Sequence, residues 1–251
     1  MTFTASYIIV FLFGVLIGNF TTTVFYRLPR NIMISGFDQK STRPPFCSKC
    51  GHILRFYEYL PIFSWFSTLG KCNYCNVIIS KSYIALEILV GLIAIILFYL
   101  MNNNLEYFFI YFCFATLILL NIFISSVHNF IPIKITLTII IIGMIYRTLI
   151  DHEIFSWIAD FSLASILCLW IIQKNLDSKN LYNYNQSLVH LILPASLWCQ
   201  NYSILFVATI ILISFVISKI IKDILFYPIC VISVFLISLI GFMNFITYST
   251  I

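Results

Sequence analysis

The sequence predicts an all-α polytopic membrane protein of about eight transmembrane helices, with a small cytosolic four-cysteine module between the first and second. Three observations predict it. Of 251 residues, 61% are hydrophobic and 9% charged, with a mean hydropathy of +1.02; an ordinary soluble domain is about half apolar and a quarter charged. The apolar residues fall in runs near the ~20 residues that a helix needs to cross a bilayer. The basic residues gather in alternate gaps between those runs, as they do in loops that stay on one side of a membrane.

Taken in order, the runs span approximately Tyr7 to Phe25, Ser82 to Met101, Tyr107 to Ser125, Pro132 to Thr148, Ile154 to Ile172, Ser187 to Trp198, Ile204 to Ile221 and Leu225 to Tyr248. The sixth is the shortest and contains Pro194. The first is read as a retained span rather than a cleaved signal peptide, because its charges follow it, in YRLPR (Tyr26 to Arg30), instead of preceding it. The organisation is therefore a first helix over 1–26, a cytosolic loop over 27–81 and a membrane domain over 82–251 with about seven further helices.

Orientation follows from charge. Of the 14 Lys and Arg, 13 fall on one side of this topology, eight of them in the first loop (Arg27, Arg30, Lys40, Arg43, Lys49, Arg55, Lys71 and Lys81), and only Arg147 falls on the other. The positive-inside rule then places the first loop in the cytoplasm and both termini outside. The same topology accounts for the net charge of +5 without a nucleic-acid partner. The basic residues lie at membrane boundaries and lack a base-reading or stacking arrangement.

The first loop carries CSKC (Cys47 to Cys50) and CNYC (Cys72 to Cys75), 21 residues apart. Two CxxC knuckles at this separation bring four thiolates within reach of one tetrahedral ion, and Zn²⁺ is the usual occupant. Disulfides are the competing use of such cysteines, but a cytoplasmic loop keeps its thiols reduced. Between the knuckles, LPIFSW (Leu60 to Trp65) is an apolar strip expected to pack, on the module or the membrane surface, rather than to serve a partner. Cys113, Cys168, Cys199 and Cys230 are scattered singly in apolar surroundings and read as small hydrophobes.

Three stretches carry a family resemblance. They are GNFTTTVFYRLPR (Gly18 to Arg30), CSKCGHILRFYEYLPIFSWFSTLGKCNYC (Cys47 to Cys75) and YIALEILVG (Tyr83 to Gly91), which contains Glu87. In motif order and spacing the chain resembles the prepilin leader peptidase/N-methyltransferase family of type IV pilus and type II secretion systems, aspartic membrane peptidases of the GxGD type. The resemblance implies a partnership with the lipid bilayer and with prepilin-like precursors or pilus and secretion assembly proteins. It also implies leader cleavage by two membrane-boundary aspartates, then N-methylation of the new terminus from S-adenosylmethionine. Such a pair works by keeping one carboxylate ionised as a base while its neighbour stays protonated as an acid.

This chain departs from the pattern at both aspartates. In FISSVHNFIPIKITLTIIIIGM (Phe123 to Met144) the register places Ser125 at the first position, and Ile133 replaces a further Asp. In YNYNQSL (Tyr182 to Leu188) Asn185 stands at the second, with tyrosines at the two glycines. An amide does not titrate near neutrality and a serine hydroxyl is a poor base, so the chain is expected to be a pseudoenzyme for aspartic proteolysis.

The other acids supply no replacement pair. Glu87 and Asp160 alone fall well within the expected spans. Glu87 matches a family position and reads as a structural hydrogen-bond partner between helices or as part of a substrate groove. Asp160 has no such match. A serine peptidase built from Ser125 or Ser126 with His128 or His190 has the residue types but no oxyanion-hole motif. Nor does any glycine-rich nucleotide fingerprint mark a methyl-donor site.

Overall fold

The computed structural model describes residues 3–32, 45–101, 104–128, 131–150, 154–174, 190 and 192–198. Within them the chain is helical. The long elements are α1 (Phe3–Arg27), α3 (Lys81–Leu100), α4 (Leu105–His128), α5 (Ile133–Ile150) and α6 (Ile154–Lys174), with the short α2 (Phe63–Ser67) in the loop between α1 and α3. These five match the first five expected spans to within a few residues at each end. Residues 192–198, also helical, fall in the sixth. The seventh and eighth lie outside the described residues.

Among the described residues, three helices are long and apolar enough to cross a membrane by length and composition: α1 with its following turn, α3 and α4. Among the described residues extended structure is confined to two isolated bridges, Phe46 with Ile53 and Lys71 with Ile78.

The chain divides into two compact units, Met1–Phe123 and Ile124–Ile251. In the first, α1 and α3 run antiparallel. Tyr7 meets Phe98, Gly18 meets Glu87 and Phe25 meets Tyr83, so the partner number falls as the helix advances. Close approach depends on glycine. A Cβ on Gly18 would lie 2.8 Å from Glu87 Cα, and one on Gly91 2.7 Å from side-chain atoms of Phe11 and Val15. Small residues at a helix contact let backbones approach in this way. α4 then covers the pair through Phe13, whose ring sits 5.9 Å from Phe109 and 5.7 Å from Phe112.

In the second unit α5 receives the segment containing His190 and 192–198. Trp198 stacks on Tyr146 at 5.2 Å, donates its indole N–H to the Ile139 carbonyl at 3.2 Å, and fills the space over Gly143. His190 Nδ1 pairs with the Thr136 hydroxyl at 2.8 Å, so its ring is engaged by α5.

Candidate functional site: a four-cysteine cluster above a mixed cavity

The two knuckles fold alike. In the first, the Cys47 N–H donates to the His52 carbonyl and the Gly51 N–H to the Cys47 carbonyl; in the second, Cys72 donates to Val77 and Asn76 to Cys72. Each turn closes through a left-handed residue, Gly51 at φ 70° and Asn76 at φ 53°. Glycine reaches this region freely and asparagine is the side-chain-bearing residue that visits it most readily. One bridge pair flanks each turn. The repeated geometry points the cysteines inward, and all four sulfurs lie within 4.8 Å of one another, with Cys47 and Cys75 Sγ 3.7 Å apart. All four are free thiols.

The arrangement suits a metal ion. Tetrahedral coordination at the usual ~2.3 Å zinc–sulfur length separates sulfurs by about 3.8 Å. The thiols are also pushed in opposite directions. Burial works against ionising Cys47, but backbone N–H groups of Cys50 and Lys49, aided by the neighbouring thiols, draw it down to about 7. At Cys75 the Val77 N–H favours the thiolate, yet burial and the hydrogen bonds shared with Cys50, Cys72 and Cys47 push it up to about 11. Thiols this close compete for charge until a cation relieves them, and the metal deprotonates its ligands.

Glu58 joins the loop to the second knuckle. Its carboxylate accepts from the Arg55 N–H at 2.8 Å and from Asn73 Nδ2 at 3.0 Å. The Arg55 N–H bond, supported by Asn73, holds Glu58 below the usual carboxylate range. His52, two residues past the first knuckle, stacks on Tyr74 inside the second, with ring centroids 3.4 Å apart.

Below the cluster lies a cavity of about 500 Å³, within the range of small-molecule sites. The end of α1 supplies Asn19, Tyr26, Arg27 and Arg30, the loop supplies Glu58, Trp65 and Lys71, and the start of α3 supplies Tyr83 and Glu87. Glu87 is buried and fully engaged: Oε1 accepts from Asn19 Nδ2 at 3.0 Å and Oε2 from the Ile62 N–H at 2.6 Å. Asn19 Nδ2 also donates to the Tyr59 carbonyl. Ile62 sits at φ 60°, ψ −52°, a region that a β-branched residue rarely occupies, and the Glu87 bond holds it there.

The structure thus brings Cys47, Cys50, Cys72 and Cys75 together and gives Glu87 specific partners. Ser125 lies half-buried in the last turn of α4, and Asn185 lies outside the described residues. Asn19, Glu58 and Asn73 are missed by sequence reasoning. Glu58 carries a signal, because an acid three residues after Arg55 has capping-box spacing. Asn19 has none beyond being a polar residue in an apolar helix.

A membrane-type helical framework with a cysteine-cage loop over a cavity of mixed polar and apolar lining is the class that this geometry defines. Residues 12–101 match the family model described as the bacterial peptidase A24 N-terminal domain. Over 151 residues the chain is 30% identical to a prepilin leader peptidase/N-methyltransferase of Vibrio cholerae, covering 56% of this chain and 57% of that protein. A Myxococcus xanthus protein of the same name is 36% identical over 87 residues, 34% of this chain and 24% of the relative. A Dichelobacter nodosus one is 28% identical over 155, 53% and 54% respectively. Residues 12–101 thus match a bacterial peptidase A24 N-terminal domain, and the chain is similar to prepilin leader peptidase/N-methyltransferases. The matches span about half the length of the Vibrio and Dichelobacter relatives. No solved structure matches the chain.

Proposed function

We propose that this chain is a prepilin-peptidase-like inner-membrane protein of type IV pilus or type II secretion biogenesis that has lost aspartic proteolysis. It keeps a zinc-braced module and holds pilin-like precursors or assembly proteins. One observation carries this reading. From Tyr107 to Ile150, through α4 and α5, the chain contains no Asp or Glu, and the position aligned with the family's first aspartate is a hydroxyl, Ser125. A missing positioned acid or base costs roughly 10²- to 10⁴-fold in rate. Asn185 at the second position extends the same logic. In this reading Cys47, Cys50, Cys72 and Cys75 hold one structural Zn²⁺ on the cytoplasmic side, Glu87 braces the module, eight helices cross the membrane and both termini lie outside.

The test is cleavage in vitro of a prepilin bearing a Gly-Phe junction by the purified chain. The substrate stays intact; leader removal that disappears on changing Ser125 or Asn185 would sink the proposal and reveal a peptidase with non-standard catalytic residues.

A second reading, retained methyl transfer, is favoured by the cavity. It lies wholly within the family-matched segment and draws nothing from Ser125 or Asn185. Its volume and its mixture of aromatic, acidic and basic groups suit S-adenosylmethionine. Tyr26 and Trp65 would face the base, and Arg27 or Arg30 the carboxylate. The group would supply an electrophilic methyl. Transfer of labelled methyl to precleaved pilin tests it, and no incorporation counts against it.

A further inference from the structure

We infer that the segment from Phe56 to Leu69 is not suspended in the cytosol but is seated in the interfacial layer of the bilayer that α1 and α3 cross. The inference rests on reading those two helices as membrane spans. Depth comes from the hydrogen bonds. Tyr59 and Ile62 are bonded through their backbone to Asn19 and Glu87. Asn19 lies eight residues before the end of α1, and Glu87 six residues after the start of α3. At 1.5 Å per residue the loop is pinned about 9–12 Å inward of both helix ends. Those ends carry Arg27, Arg30 and Lys81, the residue types that sit at headgroup level.

What is displayed at that depth is apolar. Phe56 is 66% exposed, Phe63 and Phe66 60% each, and Leu69 82%. The display is built into the fold. Phe56 leans on the pinned Tyr59 with ring centroids 5.6 Å apart, and Phe63 directly follows the pinned Ile62. Leu69 is presented from a left-handed backbone at φ 52°, a conformation that disfavours a side chain such as leucine's. Flanking Arg55 and Lys71 complement anionic headgroups. Four large apolar side chains in 14 residues, exposed beside a basic rim and tied to the acyl-boundary depth of two apolar helices, match an interfacial anchor.

Photocrosslinking of the full chain in mixed phosphatidylethanolamine and phosphatidylglycerol vesicles tests it. Benzoylphenylalanine is placed singly at Phe66, Phe63, Leu12 and Lys49, and phospholipid adducts are read by mass. Leu12 on α1, itself exposed, reports spanning, and Lys49 in the first knuckle reports the cytosolic tip. The expected lipid-adduct yield at Phe66 and Phe63 is close to that at Leu12 and roughly tenfold above that at Lys49. Lipid adducts at Leu12 but not at Phe66 and Phe63, or protein adducts only at those two, overturn the inference while leaving the spans intact. Lipid adducts at none of the four overturn both. The second site at Phe63 guards against a local defect at Phe66.

Discussion

Single residues carry the consequences most sharply at the cluster and at Glu87. Changing Cys72 to Ser removes one of four thiolates from the proposed zinc cage. The expected outcome is a fall from about one zinc per chain to a small fraction of that, measured on the purified protein, since structural zinc contributes on the order of 10 kcal/mol to small modules. Asn76, in its left-handed turn, has a different signature. Asn76→Gly should leave metal content unchanged, whereas Asn76→Val should cost roughly 1–2 kcal/mol, because a branched Cβ does not fit that backbone. Glu87→Ala leaves the Ile62 N–H without its acceptor and takes from Asn19 Nδ2 one of its two, the Tyr59 carbonyl remaining, at a cost of about 1–3 kcal/mol. Limited proteolysis between residues 45 and 80 should accelerate roughly tenfold, because local opening governs cleavage.

Elements depend on contacts that tolerate little change. Gly18→Ala drives a Cβ into the backbone of α3 at Glu87, which cannot yield as a flexible side chain would. The thermal midpoint should drop by more than for Gly51→Asn, where nothing lies within 4 Å and asparagine accepts the positive φ. Loop and second knuckle are joined by Glu58, and this joint is pH-dependent. Its folded pKa lies below the unfolded value of about 4.3. Its contribution is therefore complete above that pH and is lost as pH falls through the lower folded value. The stability gap between the native chain and Glu58→Gln should accordingly narrow below about pH 4, measured as unfolding midpoints across an acid series.

At the scale of the whole molecule, the family relationship and the missing acids lead to one experiment. Restoring both carboxylates together, Ser125→Asp with Asn185→Asp, should produce leader cleavage where neither single change does, because the dyad works only when one carboxylate raises the affinity of the other for a proton. A double variant that stays inactive places the lesion elsewhere, for example at Tyr182 and Tyr184, where the family pattern has glycines.

The sequence by itself determined the helical class, the first five long helices to within a few residues, and the cysteine cluster. Each is written in local chemistry: runs of apolar residues long enough to span a bilayer, and a CxxC spacing whose turn geometry aims its own thiols. Chain order and pattern sufficed for the family resemblance as well. Only the tertiary structure decided what Glu87 does, because its partners, Asn19 and the Ile62 N–H, are 68 and 25 residues away and no periodicity announces a backbone donor. The strip from Leu60 to Trp65 divides the same way. Its apolar character was legible, but the exposure of Phe63 and the depth at which Ile62 is pinned follow from two helices packing closely enough, across Gly18, for one carboxylate to reach both α1 and the loop.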